Sequence, residues 1–205
     1  MTKAHWEKGR RDGFSRRAFL KGSGVAAAAT AVQEHAVGLA QQQGVEVVRD
    51  KKRIMLEVNG EPVSVEVETR TTLLEMLRYQ LDLTGAKPVS TDGSCGASTV
   101  LVDGKPVLAA AMLAIACEGK KVKTVESLAQ PTLDPVPAAF VEHDAQQCGF
   151  CTPGFVMAVR AFLDKHPNAT EEEIRNGLNG NICRCGTYAN VFQAVLSLVK
   201  GGRNG

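Results

Sequence analysis

The chain has 205 residues, 44% of them hydrophobic, which is enough to bury a core in one large domain or two small ones. Its formal charge of +2 is uneven, because residues 1–40 hold seven Lys/Arg and three Asp/Glu and the remainder is slightly acidic. The body therefore lacks the cationic surface of a nucleic-acid-binding protein. No apolar run reaches the about 18 residues that a membrane span needs.

The N-terminus predicts an export signal. The heptapeptide at residues 15–21, SRRAFLK, resembles the twin-arginine signal at each of its fixed positions. An alanine-rich, weakly apolar stretch follows, with a small-residue cleavage site near Ala40. The resemblance implies export of the folded chain to the periplasm, with residues 1–40 as the signal segment. The alternative is a basic helix followed by an alanine-rich linker.

Two alternating apolar runs on either side of Asn59-Gly60 predict a β-hairpin with a type I′ turn. A helix should follow, capped by Thr71 or Thr72, because leucines then recur on one helical face. The apolar positions of the hairpin and helix are Ile54, Leu56, Val58, Val63, Val65, Val67, Leu73, Leu74, Leu77 and Leu81.

A glycine-rich loop at residues 92–96 precedes a predicted strand over residues 99–102 and a turn at Asp103-Gly104. One more strand is expected around Val122 and Val125. Hairpin, helix, loop and strand pair follow the order of a ubiquitin-like β-grasp domain. We assign this ferredoxin-like domain to residues 50–127.

The second half of the chain is predicted to be helical, since the composition changes after a cluster of prolines near residue 131. A helix is expected from Leu133 to about Asp144, and Thr170 to Glu173 reads as a capping box. Two further helices have apolar residues at matching offsets and should pack together. Their apolar positions are Phe155, Val156, Val159, Phe162, Leu163, Val191, Phe192, Val195, Leu198 and Val199.

These features predict a helical bundle over residues 130–201. The expected fold class is therefore α+β, with an N-terminal β-grasp domain followed by a C-terminal four-helix bundle.

Four of the six cysteines form two close pairs, each directly before a predicted helix. They are Cys148, Cys151, Cys183 and Cys185. Thr152 can cap the first of these helices, with Pro153 in its first turn, and Thr187 can cap the second. Backbone N–H groups at helix N-termini favour negative charge, which suits the thiolates of an iron–sulfur cluster.

Two alternatives remain open for these cysteines. A structural zinc site also uses four cysteines, although usually as two C-x2-C pairs. A thioredoxin-like dithiol uses C-x2-C before a helix, but no βαβ pattern surrounds Cys148 and the second pair would have no role.

The segments QCGFCTPG, from Gln147, and NICRCGTY, from Asn181, are similar to the second iron–sulfur domain of the xanthine dehydrogenase and aldehyde oxidase family. The resemblance runs from about Arg53 to Val199. It implies that the cluster ligands are Cys148, Cys151, Cys183 and Cys185. It also implies that Gln147 and Cys185 face a molybdopterin cofactor held by a separate large subunit.

The first domain of that family holds a plant-type cluster with the spacing C-x4-C-x2-C-x11-C. The aligned positions in this chain are Ser90, Cys95, Ser98 and Ala110. Alanine cannot ligate iron, and one thiolate is not expected to retain a cluster. We therefore predict one [2Fe–2S] cluster per chain, with the first domain retained as a fold. Cys117 lies outside the pattern and is predicted to be a small buried hydrophobe.

The resemblance implies a non-catalytic electron-transfer subunit of a molybdenum hydroxylase that acts on aldehydes or N-heterocycles. Electrons would pass from the large subunit through the one cluster to an external acceptor, such as a cytochrome or a flavin subunit. Two alternatives are a non-redox structural or maturation partner of the large subunit and a zinc-stabilised exported binding protein.

Overall fold

The computed structural model describes residues 48–129 and 132–202, and the chain from Arg49 onward forms one compact unit. The predicted export signal and its cleavage site near Ala40 lie outside the described residues. Within the described ranges, no helix is both long enough and apolar enough to cross a membrane.

Five strands form one sheet in the described part of the chain. They are β1 (Lys52–Val58), β2 (Glu61–Val67), β3 (Thr99–Val102), β4 (Lys105–Leu108) and β5 (Lys121–Lys123). The strand order is β2-β1-β5-β3-β4, in which β1 and β5 run parallel and the other neighbours are antiparallel. The short β5 therefore joins the first hairpin to the second.

The predicted first hairpin is confirmed. Asn59 and Gly60 have φ values of 53° and 90°, which are the two left-handed conformations that a type I′ turn requires. The Asn59 side chain also accepts a hydrogen bond from the Thr124 N–H at 2.8 Å and donates one to the Thr124 hydroxyl at 2.9 Å. These two bonds attach the hairpin turn to the segment that follows β5.

The predicted helix after the hairpin is present but changes type. Thr72 and Glu75 form a capping box at the start of α1 (Leu73–Glu75), and the chain continues as a π-helix over Met76–Gln80. The last predicted strand is shorter than expected, because a hydrogen bond from the Ser127 N–H to the Thr124 carbonyl, at 3.0 Å, turns the chain after β5. Val125 therefore begins a 3-10 turn, Val125–Ala129.

The rest of the described chain is helical. Its helices are α2 (Pro135–Glu142), α3 (Thr152–Lys165), α4 (Glu171–Gly177) and α5 (Tyr188–Gly202). Helix α2 is shorter than predicted, because the Asp134 carboxylate accepts from the Val136 N–H at 2.8 Å and fixes the start. The capping box predicted for Thr170 and Glu173 is confirmed at α4.

The two predicted apolar stripes enter one common core, but α5 packs mainly on α2 rather than on α3. Phe155 and Tyr188 connect α3 to α5 through an edge-on ring contact, with 6.2 Å between centroids. On its other side α3 packs against β3, where Met157 lies against Leu101. Helix α3 thus contacts both the sheet and the helices, and the α+β class is confirmed.

Candidate metal centre

The two cysteine pairs lie in the loops that lead into α3 and α5. Cys183 is buried, Cys151 is half-buried, and Cys148 and Cys185 are exposed. The thiol of Cys151 interacts electrostatically with Cys183 and Cys148, and that of Cys185 with Cys148 and Cys183. The structure therefore brings all four predicted site cysteines together, with one thiol pair facing inward and the other facing solvent.

The start of α3 corrects one prediction. Thr152 is not the N-cap: Cys151 holds that position, and its carbonyl accepts from the Phe155 N–H at 3.0 Å. The helix consequently begins at Thr152, whose side chain makes no capping bond. The Thr152 hydroxyl is buried and has no hydrogen-bond partner among the described residues.

The start of α5 holds the inner sulfur of the site. The Thr187 hydroxyl donates to the Sγ of Cys183 at 3.1 Å, while the Thr187 carbonyl accepts from the Val191 N–H in the first turn of the helix. The Cys183 N–H donates to the Tyr188 hydroxyl at 2.8 Å. The sequence predicted Thr187 as a helix cap, whereas in the structure its hydroxyl donates to the sulfur of a predicted site cysteine. The contact of Tyr188 with Cys183 was not predicted.

The two inner thiols have opposite pKa shifts. Burial disfavours ionisation of Cys183, but hydrogen bonds from the Thr187 hydroxyl and N–H, the Cys151 thiol and the Gly186 N–H outweigh it and lower the pKa of Cys183 to about 7. Burial, together with the bond that its thiol donates to Cys183, raises the pKa of Cys151 to about 12. The site therefore stabilises negative charge first on the Cys183 sulfur.

The outer pair is balanced differently. The Cys148 N–H favours a thiolate at Cys185, but the thiol-to-thiol hydrogen bond with Cys148 and desolvation leave the pKa of Cys185 raised. A bound metal would displace the thiol protons of both cysteine pairs, because cysteine binds metals as the thiolate.

The donor set fits a two-iron cluster. Four sulfurs with backbone and hydroxyl donors around them match the ligands and hydrogen bonds of a [2Fe–2S] centre. Each of the two irons in such a centre takes two thiolates, and the four cysteines supply that number. The unpartnered Thr152 hydroxyl beside Cys151 is a further donor without an acceptor, as expected if a sulfur-rich group completes the site.

Two exposed apolar residues adjoin the inner cysteines in the sequence. Phe150, which is 56% exposed, precedes Cys151, and Ile182, which is 53% exposed, precedes Cys183. Gln147 is also exposed and precedes Cys148. We call Gln147, Cys148, Phe150, Ile182 and Cys185 the cysteine face.

The four positions aligned with the plant-type cluster also come together in pairs. The Ser90 hydroxyl lies 3.0 Å from the Cys95 Sγ, and the Ala110 N–H donates to the Ser98 hydroxyl at 3.3 Å. Cys95 is the one thiol among them. Cys117 is fully buried in the core beside the sheet, as predicted for a small hydrophobe, and burial raises its pKa.

Two family models match the chain: a [2Fe-2S] binding domain at residues 124–196 and a twin-arginine translocation signal sequence at residues 13–32. The chain is 38% identical over 198 residues to the aldehyde oxidoreductase iron-sulfur-binding subunit PaoA of Escherichia coli (strain K12), which covers 89% of this chain and 86% of the relative. The chain belongs to the iron–sulfur subunits of the molybdenum hydroxylase family.

Other members of this family match about three quarters of this chain. The nicotine 6-hydroxylase small subunit of Paenarthrobacter nicotinovorans is 42% identical, over 76% of this chain and 96% of the relative. The structure of quinoline 2-oxidoreductase from Pseudomonas putida 86 superposes with a TM-score of 0.71 at 36% identity, over 76% of this chain and 98% of that one. The predictions of a [2Fe–2S]-binding oxidoreductase subunit and of twin-arginine export to the periplasm are confirmed.

Proposed function

We propose that this family member passes electrons from a molybdopterin-bearing large subunit through one [2Fe–2S] cluster held by Cys148, Cys151, Cys183 and Cys185. The observation that carries the proposal is the meeting of these four thiols at the starts of α3 and α5, with Thr187 donating to the innermost sulfur. When bound, the cluster accepts and releases one electron at a time. The chain itself supplies the four thiolates, the hydrogen-bond donors to sulfur and the protein surroundings of the cluster.

The protein fold supports this role through two packed parts. The sheet and α1 enclose one apolar cluster, and the four later helices enclose another. We assign the first to a β-grasp domain over residues 50–127 and the second to a four-helix bundle over residues 130–201. The contact between Leu101 and Met157 ties them together.

The cysteine face is the proposed contact with the large subunit. Phe150 and Ile182 are exposed apolar side chains that directly precede Cys151 and Cys183, and exposed apolar area is a feature of protein interfaces. Gln147 and Cys185, on the same face, are proposed to face the molybdopterin cofactor. The substrate of the complex is proposed to be an aldehyde or an N-heterocycle, in line with the relatives named above.

The proposed route to the electron acceptor has no outer plant-type cluster. Ser90, Ser98 and Ala110 provide no thiolate, and hydrogen bonds join Ser90 to Cys95 and Ala110 to Ser98. We propose that the acceptor docks near the helical part, or that a partner subunit carries its own redox group, such as a haem.

The chain offers matched cysteine variants for a test. Cys151→Ala removes a proposed ligand, whereas Cys117→Ala removes a buried thiol outside the site. In full-length protein purified anaerobically, we expect Cys151→Ala to lose the visible absorption and EPR signal of the cluster, and Cys117→Ala to keep them. A cluster that survives in Cys151→Ala would refute the ligand assignment.

A further inference from the structure

The loop that carries the former plant-type cluster positions contacts the loop that leads to Cys183. The Cys95 carbonyl accepts from the Ile182 N–H at 2.9 Å, and the Gly96 carbonyl accepts from the Asn181 side-chain amide at 2.9 Å. Asn181 is buried and lies two residues before Cys183. These two hydrogen bonds therefore fix the backbone immediately before the innermost sulfur.

The Gly96 carbonyl is itself held firmly. It also accepts from the Thr99 N–H at 3.1 Å and the Thr99 hydroxyl at 2.7 Å. Gly96 has a φ of +72°, and a Cβ there would lie 2.6 Å from the Asn181 amide nitrogen. Glycine is required here for two reasons, the left-handed backbone and the close approach of Asn181.

The same loop also contacts the other cysteine pair. Gly154 lies three residues after Cys151 in α3, and a Cβ on it would lie 2.3 Å from the Gly96 carbonyl oxygen and 2.9 Å from the Ala97 Cα. The helix backbone thus lies directly against the loop. One loop therefore supports both segments that present the site cysteines.

The loop holds its shape through hydrogen bonds between the former ligand positions. The Cys95 N–H donates to the Ser90 hydroxyl at 3.3 Å, and that hydroxyl lies 3.0 Å from the Cys95 sulfur. At the other end, the buried Ser98 hydroxyl accepts from the Ala110 N–H at 3.3 Å. Hydroxyl groups thus connect, in pairs, the positions that a metal cluster would otherwise join.

We infer that residues 90–98 serve as the support of the remaining cluster site, and that Asn181 is a positioning residue that holds the Cys183 loop in the geometry that the cluster needs. This inference rests on the proposed function, because it assumes that the four cysteines bind the cluster. Residues that orient metal ligands from outside the ligand shell change metal affinity by about 10- to 100-fold when they are replaced.

Asn181→Leu tests the inference, because leucine has a similar volume but no amide donor. Asn179→Leu is the matched control, since Asn179 is exposed and lies two residues earlier. In full-length protein purified anaerobically, we expect Asn181→Leu to release iron to a chelator about tenfold faster than wild type. We also expect its cluster to show shifted EPR g values and a changed midpoint potential, while Asn179→Leu matches wild type in all three.

A role in overall stability alone would lower the yield but leave the g values and the potential of the loaded protein unchanged, and that result would overturn the inference. If Asn181→Leu does not fold, Ser98→Ala tests the inference instead, because it removes the hydroxyl that accepts from the Ala110 N–H at one end of the loop. Its control is Ser64→Ala, an exposed serine of β2 outside the loop. Faster iron loss in Ser98→Ala than in Ser64→Ala supports the inference, and equal rates refute it.

The proposed electron-transfer function and the support role of residues 90–98 can be distinguished by experiment. A wild-type chain that binds no cluster would overturn the proposed function together with this inference. A fully loaded wild type whose Asn181 and Ser98 variants are indistinguishable from it would overturn this inference alone.

Discussion

Thr187→Val isolates one hydrogen bond to the innermost sulfur of the site. The Thr187 hydroxyl donates to the Cys183 Sγ at 3.1 Å, and the two residues are 5% and 6% exposed. Valine keeps the branched shape but has no hydroxyl, so the sulfur loses a donor with little change in packing. A hydrogen bond to a charged group contributes about 1.5–3 kcal/mol. In the metal-free chain the pKa of Cys183 should therefore rise from about 7 to about 8 or 9.

The same donor should raise the reduction potential of the bound cluster. Reduction adds negative charge to the sulfurs, so the Thr187 hydroxyl stabilises the reduced form more than the oxidised form. If about 1 kcal/mol of the hydrogen bond depends on that added charge, its loss lowers the midpoint potential by about 40 mV, because a tenfold change in a one-electron equilibrium is about 59 mV.

The assay is a redox titration followed by EPR on full-length protein purified anaerobically. Thr187→Ser is the control, since it retains the hydroxyl, and it should keep a potential close to that of wild type. Thermal unfolding of both variants separates a change at the sulfur from a weakened start of α5. A Thr187→Val protein that is fully loaded and has the wild-type potential would refute the reasoning.

Three further predictions concern the packing of α3, the cysteine face and the pH dependence of stability. Gly154→Ala should lower the free energy of unfolding in urea by about 1–3 kcal/mol, because its Cβ would lie 2.3 Å from the Gly96 carbonyl oxygen, whereas Gly180→Ala, whose Cβ meets nothing within 4 Å, should not. Phe150→Asp should weaken co-purification with the large subunit but leave the cluster signal intact; unchanged co-purification would argue against the cysteine face as the interface. In the metal-free chain, the lowered pKa of Cys183 contributes stability that is present above about pH 9 and lost as the pH falls through about 7, so urea stability should rise across that window. The raised pKa of Cys151 lowers the stability of the folded chain only above about pH 9. A free energy of unfolding that stays constant from pH 7 to 9 would therefore contradict the prediction.

Local patterns in the sequence were sufficient for several elements. Asn59-Gly60 has a strong intrinsic preference for the left-handed turn that it forms, and Thr170 and Glu173 are close enough in sequence for their capping box to be local. The cysteine spacing was equally informative, because each pair precedes a helix that the apolar periodicity also predicts.

Features decided by competition between neighbours were harder to predict. Thr152 has the residue type of an N-cap, but Cys151 adopts a helical conformation and accepts the first helical bond, which moves the start of α3 by one residue. The Thr187 hydroxyl can serve a helix N-terminus or a nearby sulfur, and sequence alone does not say which. The π-helix at Met76–Gln80 has no local pattern that distinguishes it from an α-helix.

Contacts between distant segments could not be derived from local patterns. The hydrogen bond from Asn181 to the Gly96 carbonyl joins residues 85 positions apart, and the approach of Gly154 to the same carbonyl depends on how α3 packs against the sheet. The aligned spacing singled out Ser90, Cys95, Ser98 and Ala110 as predicted former ligand positions. It did not indicate that their loop supports the other site.

The central claim is that each chain holds one [2Fe–2S] cluster and that its site is the one built by the two cysteine pairs. Iron and acid-labile sulfide should be counted per chain in protein purified anaerobically with its large subunit, together with EPR after reduction. The account predicts about two irons, about two sulfides and one [2Fe–2S] signal per chain. About four irons with two distinct signals, or an assembled complex without iron in this subunit, would contradict it.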